Sequence, residues 1–334
     1  MMDLPPLLRI LLWPLSFLYG AYVQLRAWVY AQGWLKQKRL KGKVISVGNL
    51  TVGGTGKTPM VLWLAEKFLA EGKRVAILSR GYRGSGGTSD EIELMKNRLQ
   101  NRAVFGVGKN RFEEGKRLDA QQPVDIFLLD DGFQHLPLAR DLDILMVDGS
   151  RKLKDQWLLP SGTLREPIAA CNRADILVVT RKTERPEIEA SDSHTFSIFY
   201  AQTRLLGFRR FGDENNLHYL SEIGHGPFFA FCGIGNPQAF FDDLTRWHVP
   251  VAGQKIFRDH HHYSDGDLAN LMKEAQSAGA IAFVTTEKDA CNIRDAQKVI
   301  LSIYVAAIDF VLTPESEFAA ALERKLDTGC GATA

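Results

Sequence analysis

The sequence predicts an α/β protein with a mainly parallel sheet, flanking helices and a second, smaller α/β lobe. Three observations lead to this prediction. Short runs rich in Val, Ile and Leu, with little polar alternation, recur between helical stretches, as in strands that are covered on both faces. A glycine-rich turn joins the first of these runs to a helical stretch. The alternation breaks around residues 183–220 and then resumes, so we expect two lobes.

The first segment, residues 1–42, predicts an amphipathic helix that lies in a membrane interface. It is rich in Leu, Trp and Tyr and ends in a cluster of basic residues that would meet anionic headgroups. A membrane span needs about 20 mostly apolar residues, whereas the uncharged run between Arg9 and Arg26 has 16 and contains Pro14. The charge order and cleavage site of a signal peptide are not clear either. The alternative is a helix packed on the protein's own core.

Residues 43–185 predict the core domain, residues 186–225 a linker with a β segment, and residues 226–334 a C-terminal α/β lobe. The predicted core strands are KVISVGNL (43–50), RVAILSRGY (74–82), VDIFLLDD (124–131), LDILMVDG (142–149) and ADILVVTR (174–181), with a helix at 59–72. In the lobe, we expect strands within 227–237 and 280–290 and helices at 238–248 and 265–279.

Charge and cysteine content narrow the class of protein. A net charge of +2 over 334 residues argues against an extended nucleic-acid surface, which needs a strong basic excess. The four cysteines form no C-x-x-C pair, which favours reduced thiols in a cytosolic compartment.

The stretch KVISVGNLTVGGTGKTPM (43–60) predicts a phosphate-binding loop. The usual pattern is G-x-x-x-x-G-K-[ST], and here Thr51 stands where the first glycine is expected. The context of strand, glycine-rich turn and helix is nevertheless the one such a loop requires, and a purely structural turn does not need Lys57 and Thr58. The predicted nucleotide-binding residues are Thr51, Val52, Gly53, Gly54, Thr55, Gly56, Lys57 and Thr58. The sheet is therefore predicted to be P-loop NTPase-like.

Two adjacent carboxylates follow another predicted strand. Asp130 and Asp131 end VDIFLLDD, at the strand end where open α/β sheets place their ligands. Beside a phosphate-binding loop, we expect one of them to support a metal ion; the alternative is an ordinary Asp-Gly turn.

Further charged residues lie in predicted loops. Arg165 and Glu166 precede a proline; an arginine there can neutralise a transferring phosphoryl group and a glutamate can complete a metal shell, and the alternative is an exposed ion pair. The stretch 79–91 carries Arg83 and Asp90, and Arg111 is a further predicted loop arginine, which alone is more often a solvated charge.

Three consecutive histidines occur in FRDHHHYSDGDL (257–268). Their spacing does not support a zinc site. A histidine paired with a carboxylate could act as general base for a substrate hydroxyl, and the alternative is a surface cluster before a helix.

Together these segments resemble the tetraacyldisaccharide 4'-kinase family, which phosphorylates a lipid A precursor in Gram-negative bacteria. The resemblance runs from the N-terminal helix to about residue 325, and the substitution at Thr51 is the family's own form of the loop. The matching motifs, in order, are VGNLTVGGTGKTP (47–59), SRGY (79–82), DDGFQH (130–135), LREP (164–167), RAD (173–175), GIGNP (233–237), DHHHY (259–263) and TTEKDA (285–290).

The resemblance implies roles for these residues. ATP and Mg²⁺ would bind Lys57 and Thr58, and the other implied metal ligands are Asp130 or Asp131 and Glu166. The family's base is an Asp–His pair, which implies Asp90 with His260 or His261, of which we favour His260. The family's G-D-E-P segment appears here as SDEI, without its glycine and proline. The implied phosphate-contacting arginines are Arg165 and Arg111.

The resemblance also implies the partners and the location. The substrate would be a lipid A disaccharide 1-phosphate, met at the cytoplasmic face of the inner membrane by a peripheral enzyme. Two alternatives are a P-loop NTPase that acts as a switch or metallochaperone, with the histidines handling metal, and a peripheral binding protein without catalysis. The aromatic N-terminus argues against a soluble switch, and Lys57 with the Asp–His pair argues against a protein without catalysis.

Overall fold

A computed structural model describes residues 5–81, 90–150, 153, 156–181, 196–224, 226–293 and 300–328. Arg83 and the predicted polar loop at 183–194 lie outside these residues. The α-helices are α1 (Pro6–Ala31), α2 (Lys57–Ala70), α3 (Asp90–Arg98), α4 (Arg111–Gln121), α5 (Pro237–Arg246), α6 (Asp265–Ser277), α7 (Glu287–Ala290) and α8 (Glu315–Thr328). The strands are β1 (Lys43–Asn49), β2 (Val75–Ser79), β3 (Val104–Val107), β4 (Ile126–Asp130), β5 (Leu142–Asp148), β6 (Ile176–Thr180), β7 (Ser197–Arg210), β8 (Asp213–His218), β9 (Phe228–Cys232), β10 (Val251–Ile256), β11 (Ala282–Thr286) and β12 (Ile303–Thr313).

The described residues divide into two compact units. The large unit comprises those within Met2–Arg83, Met95–Gln202 and Phe310–Ala334, and the small unit those within Gly84–Leu94 and Thr203–Asp309. The start of α3 therefore belongs to the small unit. The domain limits predicted at residues 42, 185 and 225 stay predictions.

The large unit contains a parallel sheet with the strand order β6-β5-β1-β4-β2-β3, and the first residues of β7 add to it beside β6. Strands β4, β5 and β6 are wholly buried because they are rich in Ile, Leu and Val, and α2 packs against β4 while α4 packs against β2 and β3. The predicted strands at 43–50, 74–82, 124–131, 142–149 and 174–181 are confirmed. Pairing of β1 with β4 brings Val47 into register with Asp130, so the glycine-rich loop and the two carboxylates leave the sheet side by side.

The small unit has its own parallel strands in the order β10-β9-β11-β12, while β8 pairs antiparallel with β7. Helix α5 packs against β9 and α6 against β10. Aromatic residues fill this core: Phe231 meets Phe283 edge to face at 5.7 Å between ring centroids, and Phe229 meets Phe283 at 6.1 Å.

One side of α1 is fixed to the large unit by polar contacts. Ser16 donates to the carbonyl of Leu158 at 3.0 Å and lies 2.7 Å from the Ser161 hydroxyl, and the hydroxyl of Tyr19 donates to the carbonyl of Arg165 at 2.8 Å. These positions, three residues apart, share one helix face. The helix therefore holds the backbone of the loop that carries Arg165.

The remaining surface of α1 is apolar and exposed. By length and composition alone this helix could also span a membrane, although the sequence predicted an interfacial position. The exposed large side chains of the helix are Leu7, Leu8, Ile10, Leu11, Trp13, Leu15, Phe17, Leu18, Tyr22, Leu25 and Trp28. A contiguous exposed apolar surface of this kind is typical of protein-interaction or membrane-interaction sites.

We expect Phe318→Ala to destabilise the large unit by about 3–5 kcal/mol, because it removes a fully buried ring and leaves a cavity. Phe318 packs edge to face on Trp63 and Phe199, at 5.3 and 5.1 Å between centroids. Chemical denaturation measures the effect. The control is Phe17→Ala on exposed α1, which should change the free energy of unfolding by less than about 0.5 kcal/mol; equal losses for both variants would contradict the packing described.

Candidate active site

The glycine-rich loop runs from the end of β1 to the start of α2, and a left-handed residue closes it. Gly56 has φ +86° and precedes the first helical residue, Lys57. A side chain at Gly56 would be strained there, and its Cβ would approach Thr180 Cγ2 to 3.2 Å. The first N–H groups of α2 have no partner within the helix, so the loop presents donors and a positive dipole end to an anion.

At Thr51 the backbone does not need the conformational freedom of a glycine. It forms an isolated antiparallel bridge to Leu164, and the neighbouring N–H of Val52 donates to the carbonyl of Thr163 at 2.8 Å. Among the described residues with positive φ, the turn contains Gly53 and Gly56 but not Thr51. Residue 51 therefore joins the loop to the LREP segment and needs no glycine.

Asp131 forms ion pairs with two cations of the large unit, Lys57 and Arg165. It follows β4 in a left-handed conformation, with φ +52°. Both its oxygens accept from Arg165 Nη1, at 2.8 and 2.7 Å, and Lys57 Nζ lies 3.5 Å from Oδ1. Burial would raise the pKa of Asp131, but the charges of Lys57 and Arg165 outweigh it and lower that pKa. The ionised carboxylate thus holds two of the three predicted phosphate-contacting cations, Lys57 and Arg165, in one place.

Asp130, the other predicted carboxylate, is buried at the end of β4. The hydroxyl of Ser79, at the end of β2, lies 3.5 Å from its Oδ2. The two adjacent carboxylates therefore have different surroundings, and which of them supports a metal ion stays a prediction.

Glu166 is held by an arginine of the RAD motif, to which the sequence analysis assigned no role. Arg173, from the RAD motif, donates to both carboxylate oxygens at 2.7 and 3.0 Å, and its guanidinium stacks on Phe133 at 4.6 Å from the ring centroid. The alternative of an exposed Arg165–Glu166 ion pair is wrong, because Glu166 is buried and each residue pairs elsewhere.

Arg111 is not a loop residue, as the sequence predicted, but the first residue of α4. Asn110 caps that helix by accepting from the N–H of Glu113, and Arg111 is 7% exposed. Its Nη1 lies 3.4 Å from Nδ1 of His135. Arginine can only donate, so Nδ1 is the acceptor and the ring is neutral. Burial and then the charges of Arg111, Arg140 and Arg26 lower the pKa of His135 to about 4.

The small unit contains a carboxylate–histidine pair. Nδ1 of His260 lies 3.0 Å from Oδ2 of Asp90, which begins α3 and also accepts from Asn292 Nδ2 at 2.7 Å. Burial would raise the pKa of Asp90, but the Asn292 and His260 hydrogen bonds, with the charges of His260 and Lys288, lower it. An ionised Asp90 therefore accepts from Nδ1–H, which leaves Nε2 to accept a proton.

His261 lies in different surroundings. Its Nε2 is 3.2 Å from Asp267, a residue of the capping box of α6, and its ring is stacked on Phe257 at 4.6 Å and meets Tyr263 edge-on at 5.1 Å. These contacts hold the ring of His261 against its own loop and the start of α6. Of the two candidate histidines, His260 is the one that pairs with Asp90.

A buried carboxylate fixes the loop of His260, a residue with φ +60°. Asp289 accepts from the N–H of Gly233 at 2.7 Å, from the hydroxyl of Tyr263 at 2.8 Å and from the hydroxyl of Thr286 at 2.5 Å. The motifs GIGNP, DHHHY and TTEKDA therefore meet at one side chain. Burial raises the pKa of Asp289, although these hydrogen bonds act to lower it.

In the part of the chain that the structure describes, no group of three or more His, Cys, Asp or Glu side chains could hold a metal ion together.

Comparisons with known proteins agree with the motif pattern. The family model "Tetraacyldisaccharide-1-P 4'-kinase" matches residues 8–327. The chain is 36% identical to the tetraacyldisaccharide 4'-kinase of Pelobacter propionicus, with 95% of the chain and 92% of that protein aligned. It is 37% identical to the tetraacyldisaccharide 4'-kinase of Geobacter metallireducens, with 93% of the chain and 96% of that protein aligned. The crystal structure of LpxK from Aquifex aeolicus in complex with ATP matches with a TM-score of 0.74 and 30% identity, over 96% of this chain and 99% of that one.

We expect His135→Gln to flatten the pH dependence of stability between about pH 4 and 6.5. Because the folded pKa lies below the ordinary 6.5, protonation favours the unfolded chain. The stabilisation from neutral His135 is therefore complete above about pH 6.5 and is lost as the pH falls towards 4. Urea denaturation across this range measures it, with exposed His262→Gln as the control. An unchanged slope in His135→Gln would show that another group sets the dependence.

Proposed function

The chain belongs to the tetraacyldisaccharide 4'-kinase family, and on that premise we propose that it transfers the γ-phosphoryl group of ATP to the 4'-hydroxyl of a tetraacyl disaccharide 1-phosphate. The products are ADP and the 4'-phosphorylated lipid A intermediate. The observation that carries the mechanism is the presence of two prepared sites, the Lys57–Asp131–Arg165 cluster and the Asp90–His260 pair. Family membership favours this kinase over the switch and the binding protein as alternatives.

The glycine-rich loop and the residues around it would bind the triphosphate. The N–H groups at the start of α2 suit phosphate oxygens, and Lys57 and Arg165 would spread the negative charge that accumulates on the transferring group. Their pairing with Asp131 keeps both cations oriented towards the same region, which lowers the reorganisation needed during transfer. Arg111, held by His135, is the proposed second arginine for the phosphates.

Mg²⁺ is the proposed metal ion of the large unit. Mg²⁺ prefers carboxylate and hydroxyl oxygens, and the proposed ligands are the hydroxyl of Thr58 and the carboxylates of Asp130 or Asp131 and Glu166. When bound, the ion would neutralise charge on the phosphate oxygens. Arg173 orients Glu166 within this set.

His260 is the proposed base for the acceptor. A sugar hydroxyl is a very weak acid, so a base beside it helps as the oxygen attacks phosphorus. The new O–P bond forms, the bond from the γ-phosphorus to the bridging oxygen of ADP breaks, and the hydroxyl proton passes to Nε2 of His260. Asp90 accepts from Nδ1–H and stabilises the resulting imidazolium.

The apolar face of α1 is the proposed membrane contact. The acyl chains of the substrate remain in the bilayer, so the enzyme must reach the headgroup at the surface, on the cytoplasmic side where ATP is available. Exposed Leu, Trp and Phe side chains on α1 suit the acyl boundary. Because Tyr19 on the opposite face holds the carbonyl of Arg165, the same helix would join the membrane contact to the phosphate site.

We expect Lys57→Ala to lower the rate at which the labelled γ-phosphoryl group of ATP is transferred to a detergent-solubilised acceptor by at least about 100-fold. The reason is that a fixed cation beside the transferring group is lost. Transfer of label to the lipid is measured. Lys67→Ala, a surface-helix control paired with Glu71 and Glu323, should keep normal turnover. Undiminished transfer by Lys57→Ala would sink the proposed phosphate site.

We expect His260→Ala and Asp90→Ala each to lower kcat by about 10²–10⁴-fold, with little change in ATP affinity, because they remove the base or its orienting partner. His261→Gln is the matched control, since its ring packs on Phe257 and Tyr263. If kcat fell in His261→Gln but not in His260→Ala, the assignment of the base to His260 would be wrong.

We expect the triple variant Leu7→Gln, Leu11→Gln and Leu18→Gln to lose vesicle binding by at least about 10-fold, because each leucine contributes apolar area at the interface. Flotation with vesicles that contain anionic lipid measures it. Leu217→Gln, an exposed leucine of the small unit, is the control. Retained binding by the triple variant would place the membrane contact elsewhere.

A further inference from the structure

Lys288 lies beside the nitrogen that would accept the proton. Its Nζ is 3.4 Å from Nε2 of His260, while Nδ1 of the same ring faces Asp90. An ammonium group has donors only, so this contact directs an N–H towards the lone pair of Nε2. The acceptor hydroxyl in the proposed reaction requires the same lone pair.

Several groups hold the ammonium in this position. Lys288 lies in α7, next to the buried Asp289, so its backbone is fixed. Its Nζ lies 3.3 Å from Asp259 and 3.5 Å from Glu91. The side chain is only 18% exposed, which limits the directions in which it can extend.

The surrounding charge argues against a role in binding an anionic part of the substrate. Among the described residues, three carboxylates lie within ion-pair distance of His260 or Lys288: Asp90, Glu91 and Asp259. A phosphate at this position would meet an excess of like charge, whereas a neutral hydroxyl would not. The cluster therefore suits a hydroxyl that gives up a proton.

We propose that Lys288 is a positioning residue, which occupies the Nε2 lone pair of His260 until the acceptor hydroxyl replaces it. Together with Asp90, it fixes the ring in the tautomer that carries the proton on Nδ1. On displacement, the ammonium keeps its contacts with Asp259 and Glu91, so the exchange leaves no buried cation unpaired. This inference rests on the proposed function of His260 as the base.

Nitrogen NMR of the full chain labelled with ¹⁵N-histidine tests the resting contact without any turnover. Spectra are recorded at about pH 8.5, where an ordinary histidine is neutral, and the His260 signals are assigned by their loss in His260→Gln. The expected Nε2 resonance is unprotonated and moves downfield in Lys288→Met, since a hydrogen bond to it is lost. Lys273→Met, on the exposed side of α6, should leave it unchanged. An Nε2 that is protonated, or that does not respond to Lys288→Met, overturns the inference.

Steady-state kinetics test the displacement. In Lys288→Met, the KM for the acceptor should fall by about 2- to 10-fold, the range of one net hydrogen bond, while the KM for ATP stays the same. Lys288→Arg, which keeps a donor, should restore a KM near that of the natural protein. A raised acceptor KM would mean that Lys288 binds the acceptor directly and would contradict the proposal. Full activity of His260→Ala would instead show that His260 is not the base. The NMR experiment would then still test the contact between Lys288 and His260 independently.

Discussion

Parallel strands end at the same edge of their sheet, and this constraint accounts for where the candidate residues lie in each unit. In the large unit, β1 leads into the glycine-rich loop, while β4 beside it leads into the two carboxylates. In the small unit, β9, β10 and β11 lead in turn into GIGNP, DHHHY and TTEKDA. The order of strands thus brings together motifs that are far apart in the chain, before any side chain makes a contact.

Each unit then fixes its loops with a carboxylate that has several partners. Asp131 joins Lys57 to Arg165, and Asp289 joins Gly233 and Tyr263 to its own helix. Charged and polar groups held in this way need little reorganisation when charge develops on a substrate, which is the usual source of electrostatic catalysis. Removing one partner would leave another buried group unsatisfied, so the two sites are also points at which stability and function are linked.

The sequence predicted what depends on local order and missed what depends on distant pairing. The phosphate loop and its flanking strand and helix follow from adjacent residues, whereas the bridge that joins Thr51 to Leu164 is a long-range contact that the loop pattern does not indicate. Asn292 lies 202 positions from Asp90, its hydrogen-bond partner, so no motif spacing could indicate the contact. Lys288 belongs to the recognised TTEKDA motif, but nothing in that motif indicates its contact with His260, 28 positions away. The pairing of Asp90 with His260, 170 positions apart, came from family resemblance rather than from spacing.

Asp90 and His260 are proposed to act as one catalytic unit, and a double-mutant cycle on the transfer step tests this coupling. Single-turnover transfer of label from γ-labelled ATP to the acceptor would be measured for Asp90→Asn, His260→Gln and the double variant. If the carboxylate acts only through the imidazole, the double variant loses about as much rate as His260→Gln alone. If the fold-loss of rate in the double variant instead equals the product of the two single fold-losses, the two residues act independently, which would contradict their role as one catalytic unit.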